Sequence, residues 1–177
     1  PIELATTSYG QGVTATTLQL ASAVATIAND GVRMEPTILR EVRDRGGQVV
    51  FSGEPHADRR VISSEAAAEV AKMMVLVTEA GGTGTRAAIP GYKVAAKTGT
   101  AQLNDTGEPE RSHAWIIAFA PVEQPKYAVA VMLKGTDAEI SAGTGGRLAG
   151  PIAKAMLDAM FKIDPPLLPA APQGVTP

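Results

Sequence analysis

Three apolar segments, residues 94–101, 114–120 and 127–133, follow one another closely, with a polar loop after the first and residues 121–125 after the second. Runs of this length, bounded by turn formers and joined this tightly, predict an antiparallel meander. A Gly-rich loop at 135–146 comes next. Leu148, Ile152, Ala155, Met156 and Ala159 then recur at helical spacing, with Pro151 expected in the first turn. This helix is expected to lie on the sheet. Upstream, a Gly-containing loop at 8–12 precedes a helix with Thr16 as N-cap, Leu20, Val24, Ile27 and Ala28 on one stripe, and Asn29-Asp30-Gly31 as stop. Segments 37–42 and 48–51 flank Asp44-Arg45-Gly46-Gly47 as a small hairpin. A second helix is expected from Ser63 or Ser64 to Gly81-Gly82, burying Val70, Met73, Met74 and Val77, while Met156 and Met160 read as core. The resulting fold class is α/β: an antiparallel sheet with the last helix on one face and the two earlier helices on the helical side of a cleft. Residues 164–177 are rich in proline and predict an extended, disordered tail after a domain spanning 1–163.

The composition supports a real core, with 177 residues of which 45% are hydrophobic and 19% charged. A net charge of −2 gives no basic field, so nucleic acid is not an expected partner. Arg40, Arg43, Arg45, Arg59 and Arg60 alternate with Glu41, Asp44, Glu54 and Asp58, the pattern of a solvated face. The absence of cysteine removes thiolate chemistry and disulfides, and two histidines, His56 and His113, are too few for a metal site. No internal repeat is evident, and no apolar run reaches the roughly 20 residues a membrane span needs. Because Pro1 is not an initiator, the chain is expected to be a piece of a longer polypeptide, with any export signal or anchor upstream.

Within the first predicted strand, Lys97-Thr98-Gly99-Thr100 places a cation, two hydroxyls and a glycine where packing alone favours β-branched residues. Two chemistries use such residues. Phosphate binding would need G-x-x-x-x-G-K-[ST], but Ala96 stands at the second glycine and strand rather than helix continues through Lys97. Acyl transfer fits better. On an edge strand, period-2 alternation puts Thr98 and Thr100 on one face and Lys97 with Gly99 on the other, while unpaired main-chain groups face a substrate. Hydroxyls and ammonium then recognise a carboxylate, a backbone N–H stabilises an oxyanion, and Gly99 allows close approach. A strand end with a surface lysine is the alternative.

The segment G-Y-K-V-A-A-K-T-G-T-A-Q resembles the third motif of class B penicillin-binding proteins. Gly10-Gln11-Gly12-Val13 and Thr16-Thr17-Leu18-Gln19-Leu20-Ala21 resemble the family's G-Q-G-V and T-P-L-Q-L-A, with Thr17 in place of proline. Residues 25–31 are similar to its A-x-I-A-N-x-G; Ser112-His113-Ala114-Trp115 and Ala118-Phe119-Ala120-Pro121 are similar to its H-A-W and G-F-A-P, with Ala118 for glycine. The resemblance covers roughly residues 8–161, and the composition and proline-rich end resemble actinobacterial members. It implies part of a serine β-lactamase-like transpeptidase fold and peptidoglycan D,D-transpeptidation through an acyl-serine, with β-lactams as donor mimics. It also implies that Lys97 sets electrostatics and proton transfers, that Thr98 and Thr100 bind the substrate carboxylate, and that the Thr100 N–H is half of the oxyanion hole. No metal or other cofactor is implied. Implied partners are stem peptides, β-lactams, the N-terminal remainder of the same protein and cell-wall synthesis proteins. The implied location is the outer side of the bacterial cell membrane, anchored from upstream.

The family also requires S-x-x-K and S-x-N. Three residues beyond Ser8, Ser22, Ser52, Ser63, Ser64, Ser112 and Ser141 stand Gln11, Ala25, Pro55, Ala66, Ala67, Trp115 and Thr144, and two before Asn29 and Asn104 stand Ile27 and Gln102. Neither motif is present, so the nucleophile is expected upstream of Pro1 and the chain alone is expected to be inactive. Gln102, His113 and Trp115 are candidates for the cleft rim, with a structural histidine the plainer reading of His113. Residues 82–85 could border the cleft or be a mere turn; 143–147 could form a second wall, with Arg147 read as a helix-end charge. A serine β-lactamase or β-lactam sensor, and a non-catalytic binding module of the same fold, are the rival readings.

Overall fold

The computed structural model describes residues 2–8, 10, 12–103 and 111–166. Helix α1 (Ile2–Ser8), not expected from the sequence, precedes α2 (Thr17–Ala28). The Thr16 hydroxyl accepts from the Gln19 N–H while the Gln19 side chain returns to the Thr16 N–H, a reciprocal capping box that fixes the helix start. Four short strands follow: β1 (Val32–Met34), β2 (Glu41–Arg43), β3 (Val49–Ser52) and β4 (Ala57–Arg60). They pair antiparallel as β1 with β4 and β2 with β3. The hairpin is thus where the turn residues predict it, with its first strand shorter than 37–42 and its second shifted by one from 48–51, and the outer β1–β4 pair is an addition. Helix α3 (Ser64–Leu76) is capped by Ser63. It ends before Gly81-Gly82, the intervening residues forming turns, and Met73 is 60% exposed rather than buried, leaving Met74 as the inward methionine.

The main sheet is the expected meander, β5 (Ala95–Gln102), β6 (Ser112–Ala120) and β7 (Tyr127–Leu133), in that order. Its register is continuous, so the two faces sort cleanly. Ala96, Ala118 and Val129 stand on one face, with a core completed by Ala149, Ala153, Leu157 and Phe161. Ala95, Phe119 and Ala128 stand on the other, packed with Val24 and Met74 of α2 and α3. A short α4 (Ala138–Ser141) leads to α5 (Gly145–Ile163). The last helix therefore covers one face and the two earlier helices the other.

Helix α5 turns a different stripe to the sheet from the one its large residues mark. Gly145, Gly146, Ala149, Gly150, Ala153, Leu157 and Phe161 are buried, whereas Ile152 and Met156 are exposed. Small residues decide the face because they let the helix axis come close. A Cβ on Gly145 would lie 2.1 Å from the Trp115 carbonyl oxygen and 2.5 Å from that of Gly99; one on Gly146 would meet the Thr83 carbonyl oxygen. Pro151 sits beyond the first turn, inside the helix. It has no N–H to give the Arg147 carbonyl. That carbonyl instead accepts from the Arg86 guanidinium at 3.3 Å, across from the 3-10 turn at Thr85–Ala87.

At the far end of α5, the Lys126 ammonium pairs with the Asp164 carboxylate at 2.6 Å and holds its pKa below the ordinary range. Tyr127 Oη donates to the Asp164 carbonyl and Tyr92 Oη to that of Pro166. Residues 164–166, expected to open an extended tail, are thus tied to the sheet, and the rest of that tail lies outside the described residues.

Two stability measurements check this packing. Replacing Arg86 by Ala should cost about 1 kcal/mol in urea unfolding, and much less in a Pro151→Ala background, where the new N–H serves the Arg147 carbonyl; equal costs in both backgrounds would contradict the capping. Gly145→Ala, whose Cβ meets main chain on both strands, should destabilise by at least the roughly 1–3 kcal/mol typical of overpacking. Unchanged stability would show that α5 does not rest on these residues.

Candidate active site

Strand β5 is held at its start by the buried Thr78 hydroxyl, which donates to the Val94 carbonyl at 2.7 Å. It pairs with β6 on one side, and among the described residues no strand pairs with the other. The Leu103 N–H donates to the Arg111 carbonyl at 2.9 Å, extending the unbroken register by one pair. Antiparallel ladders alternate, so Lys97, Gly99 and Ala101 turn their N–H and C=O toward β6. Thr98 and Thr100 turn theirs to the opposite edge.

Side chains converge on that edge from both faces. Thr98 and Thr100 share the α5 face with Ala96. The Thr98 hydroxyl lies 2.7 Å from that of Thr83, which belongs to the Gly-rich turn before the strand. Thr100 is exposed. Lys97 stands on the opposite face, yet its exposed ammonium bends over the edge to donate to the Thr98 carbonyl at 2.7 Å. No carboxylate lies within ion-pair distance of it among the described residues. The result is a short stretch with an unneutralised cation, two hydroxyls and an outward N–H, a donor set suited to a carboxylate and an adjacent carbonyl.

Gly99 has a structural reason beyond openness. It faces Trp115 across the ladder, and a Cβ there would lie 2.3 Å from the indole ring. The half-buried Trp115 ring therefore occupies the space the missing side chain leaves, on the face that carries Lys97. His113 stands on that same face opposite Ala101. Its Nδ1 accepts from the Gly135 N–H at 3.0 Å. Gln102 ends the strand, exposed, opposite Ser112.

The sequence marks residues 97–100 and Trp115, and the fold brings them together. The segment at 143–147 is the N-terminus of α5, backing the strand, and the Arg147 main chain is what receives Arg86. Thr83 was legible only as part of a turn, because a contact spanning fifteen residues leaves no local pattern.

Residues 2–158 match the model of the penicillin-binding protein transpeptidase domain. The chain is 38% identical over 160 residues to the peptidoglycan D,D-transpeptidase PbpA of Mycolicibacterium smegmatis, covering 90% of this chain and 32% of that protein. It is 35% identical over 165 residues to a probable peptidoglycan D,D-transpeptidase, PenA, of Neisseria meningitidis, covering 92% of this chain and 26% of that one. Among solved structures it resembles penicillin-binding protein A of Mycobacterium tuberculosis in a ceftriaxone acyl-enzyme complex, with TM-score 0.73 and 36% identity over 81% of this chain and 32% of that one. It also resembles penicillin-binding protein 3 of that organism with ampicillin, with TM-score 0.74 and 29% identity over 93% and 38%. The chain spans about a third of the length of the PbpA relatives it matches. Matched by that domain model over residues 2–158 and similar in fold to these solved structures, the chain belongs to the penicillin-binding protein transpeptidase family.

Proposed function

We propose that this chain forms the K-T-G wall of a serine-type peptidoglycan D,D-transpeptidase that β-lactams acylate. The observation that carries this reading is the one-sided strand β5, with the Thr100 N–H and the Thr98 and Thr100 hydroxyls at an open edge and the Lys97 ammonium folded over it. The nucleophile and its base belong to a part of the protein outside these 177 residues, since no S-x-x-K occurs within them.

In this mechanism a stem peptide lies along β5 as an added strand, its terminal carboxylate on the two hydroxyls and near Lys97. The serine oxygen attacks the penultimate D-Ala carbonyl while its proton passes to the base. Negative charge gathers on the carbonyl oxygen and is met by the Thr100 N–H and a donor from the nucleophile's own segment. The C–N bond then breaks, the departing D-Ala amine takes up the proton, and an acyl-serine remains. An acceptor amine attacks that ester, loses its proton, and returns the serine. The Lys97 charge lowers the energy of carboxylate and oxyanion alike. This chemistry acts on wall polymer, which places the protein on the outer side of the cell membrane, anchored by a segment beyond this chain. Among the described residues no helix is long and apolar enough to cross a membrane.

The test is labelling with fluorescent penicillin. The full-length protein should form a stable adduct and the isolated chain none; rapid turnover would indicate a β-lactamase, and no adduct a binding module. Thr100→Pro removes an N–H that points away from the sheet, so the fold should survive. Acylation should nevertheless slow by about 10²–10³-fold, the scale of losing one oxyanion donor. Thr100→Val, which keeps the N–H, should slow it less; the reverse order would refute the oxyanion assignment.

A further inference from the structure

The β6–β7 ladder ends at Ala114 and Leu133, so the main chain beyond Leu133 has no strand partner on β6. Gly135 is nevertheless buried, and its N–H is satisfied by a side chain: it donates to Nδ1 of the half-buried His113 at 3.0 Å. A Cβ on Gly135 would lie 2.2 Å from the Ser112 carbonyl oxygen, so the loop is pressed against the first residue of β6. The Ser112 hydroxyl, 2% exposed, donates to the Ser141 carbonyl at 2.8 Å and grips the same loop again at the end of α4. A few residues later Thr144 caps α5, and Gly145 rests on the main chain of Gly99 and Trp115. The loop from 135 to 144 is thus fastened at one end to the start of β6 and at the other to the back of Gly99.

We infer that His113 is a positioning residue of the proposed reaction: its Nδ1 latches Gly135, and through the loop holds the α5 N-terminus against the strand that presents Thr98 and Thr100. The inference rests on the transpeptidase reading. An acceptor at Nδ1 puts the ring proton on Nε2, the neutral tautomer that a structural donor such as Gly135 requires. Small displacements of β5 matter because an oxyanion donor works only over a narrow range of position. Asparagine sets its Oδ1 close to the place of Nδ1 and accepts the same bond; leucine fills similar space and accepts none.

The full-length protein, His113→Asn and His113→Leu are compared for acylation rate by fluorescent penicillin. The Asn variant should stay within about threefold of wild type, and the Leu variant should fall about tenfold or more, an effect carried by a misplaced site. A Leu variant as fast as wild type, or an Asn variant as slow as Leu, overturns the latch while leaving the transpeptidase reading intact. A wild type that takes no label overturns both. Should the Leu variant fail to fold, the wild type carries its own test: nitrogen-15 shifts of the His113 ring should show the proton on Nε2, and the Nδ1–H tautomer overturns the assignment.

Discussion

Among the described residues, strand β5 pairs with another strand on one side alone. Toward β6 its register is continuous from Ala95 to Gln102, and toward the other side Thr98 and Thr100 present their main-chain groups. An open edge is a hazard in an ordinary domain because it invites pairing with any extended chain. In this family fragment it is the feature from which the site's other properties follow. The hydroxyls of Thr98 and Thr100 reach it from one face and the ammonium of Lys97 from the other, so the groups proposed to recognise an extended peptide end lie along one line.

Holding such a strand steady needs support from behind, and the chain supplies it through close approach rather than bulk. Gly145 lies on the main chain of Gly99 and Trp115, Gly146 on Thr83, and the Trp115 indole fills the place where Gly99 has no side chain. A strand backed by main-chain contacts has little room to move, in keeping with the density of protein interiors. Arg86 compensates within this arrangement. By donating to the carbonyl that Pro151 leaves unpaired, it couples the turn before β5 to the first turn of the helix behind it.

Much of this was legible in the sequence. The meander, the Thr16 cap, the start of α3 at Ser63 or Ser64, and the K-T-G-T stretch carry local signals strong enough to place them. What was misread has identifiable physical causes. Ile152 and Met156 predict the buried face of the last helix if hydrophobicity selects it, but here size selects it, and the glycine-alanine stripe faces the sheet. Met73 differs in another way: of the two adjacent methionines on α3, Met74 takes the inward position and Met73 the outward one. Strands β1 and β4 are short and carry Arg33, Asp58, Arg59 and Arg60, leaving no alternation to read. Thr83, Arg86 and Gly135 matter through contacts distant in the chain, which composition and period do not encode.

The central proposal, that the Thr100 N–H faces outward and meets the carbonyl oxygen of the acyl-serine, is tested most directly by amide hydrogen exchange across β5 in the full-length protein, before and after penicillin. The account predicts slow exchange at Gly99 and Ala101 throughout, and fast exchange at Thr100 that becomes slow on acylation. A Thr100 amide already protected in the free protein, or one left unprotected in the adduct, would contradict it.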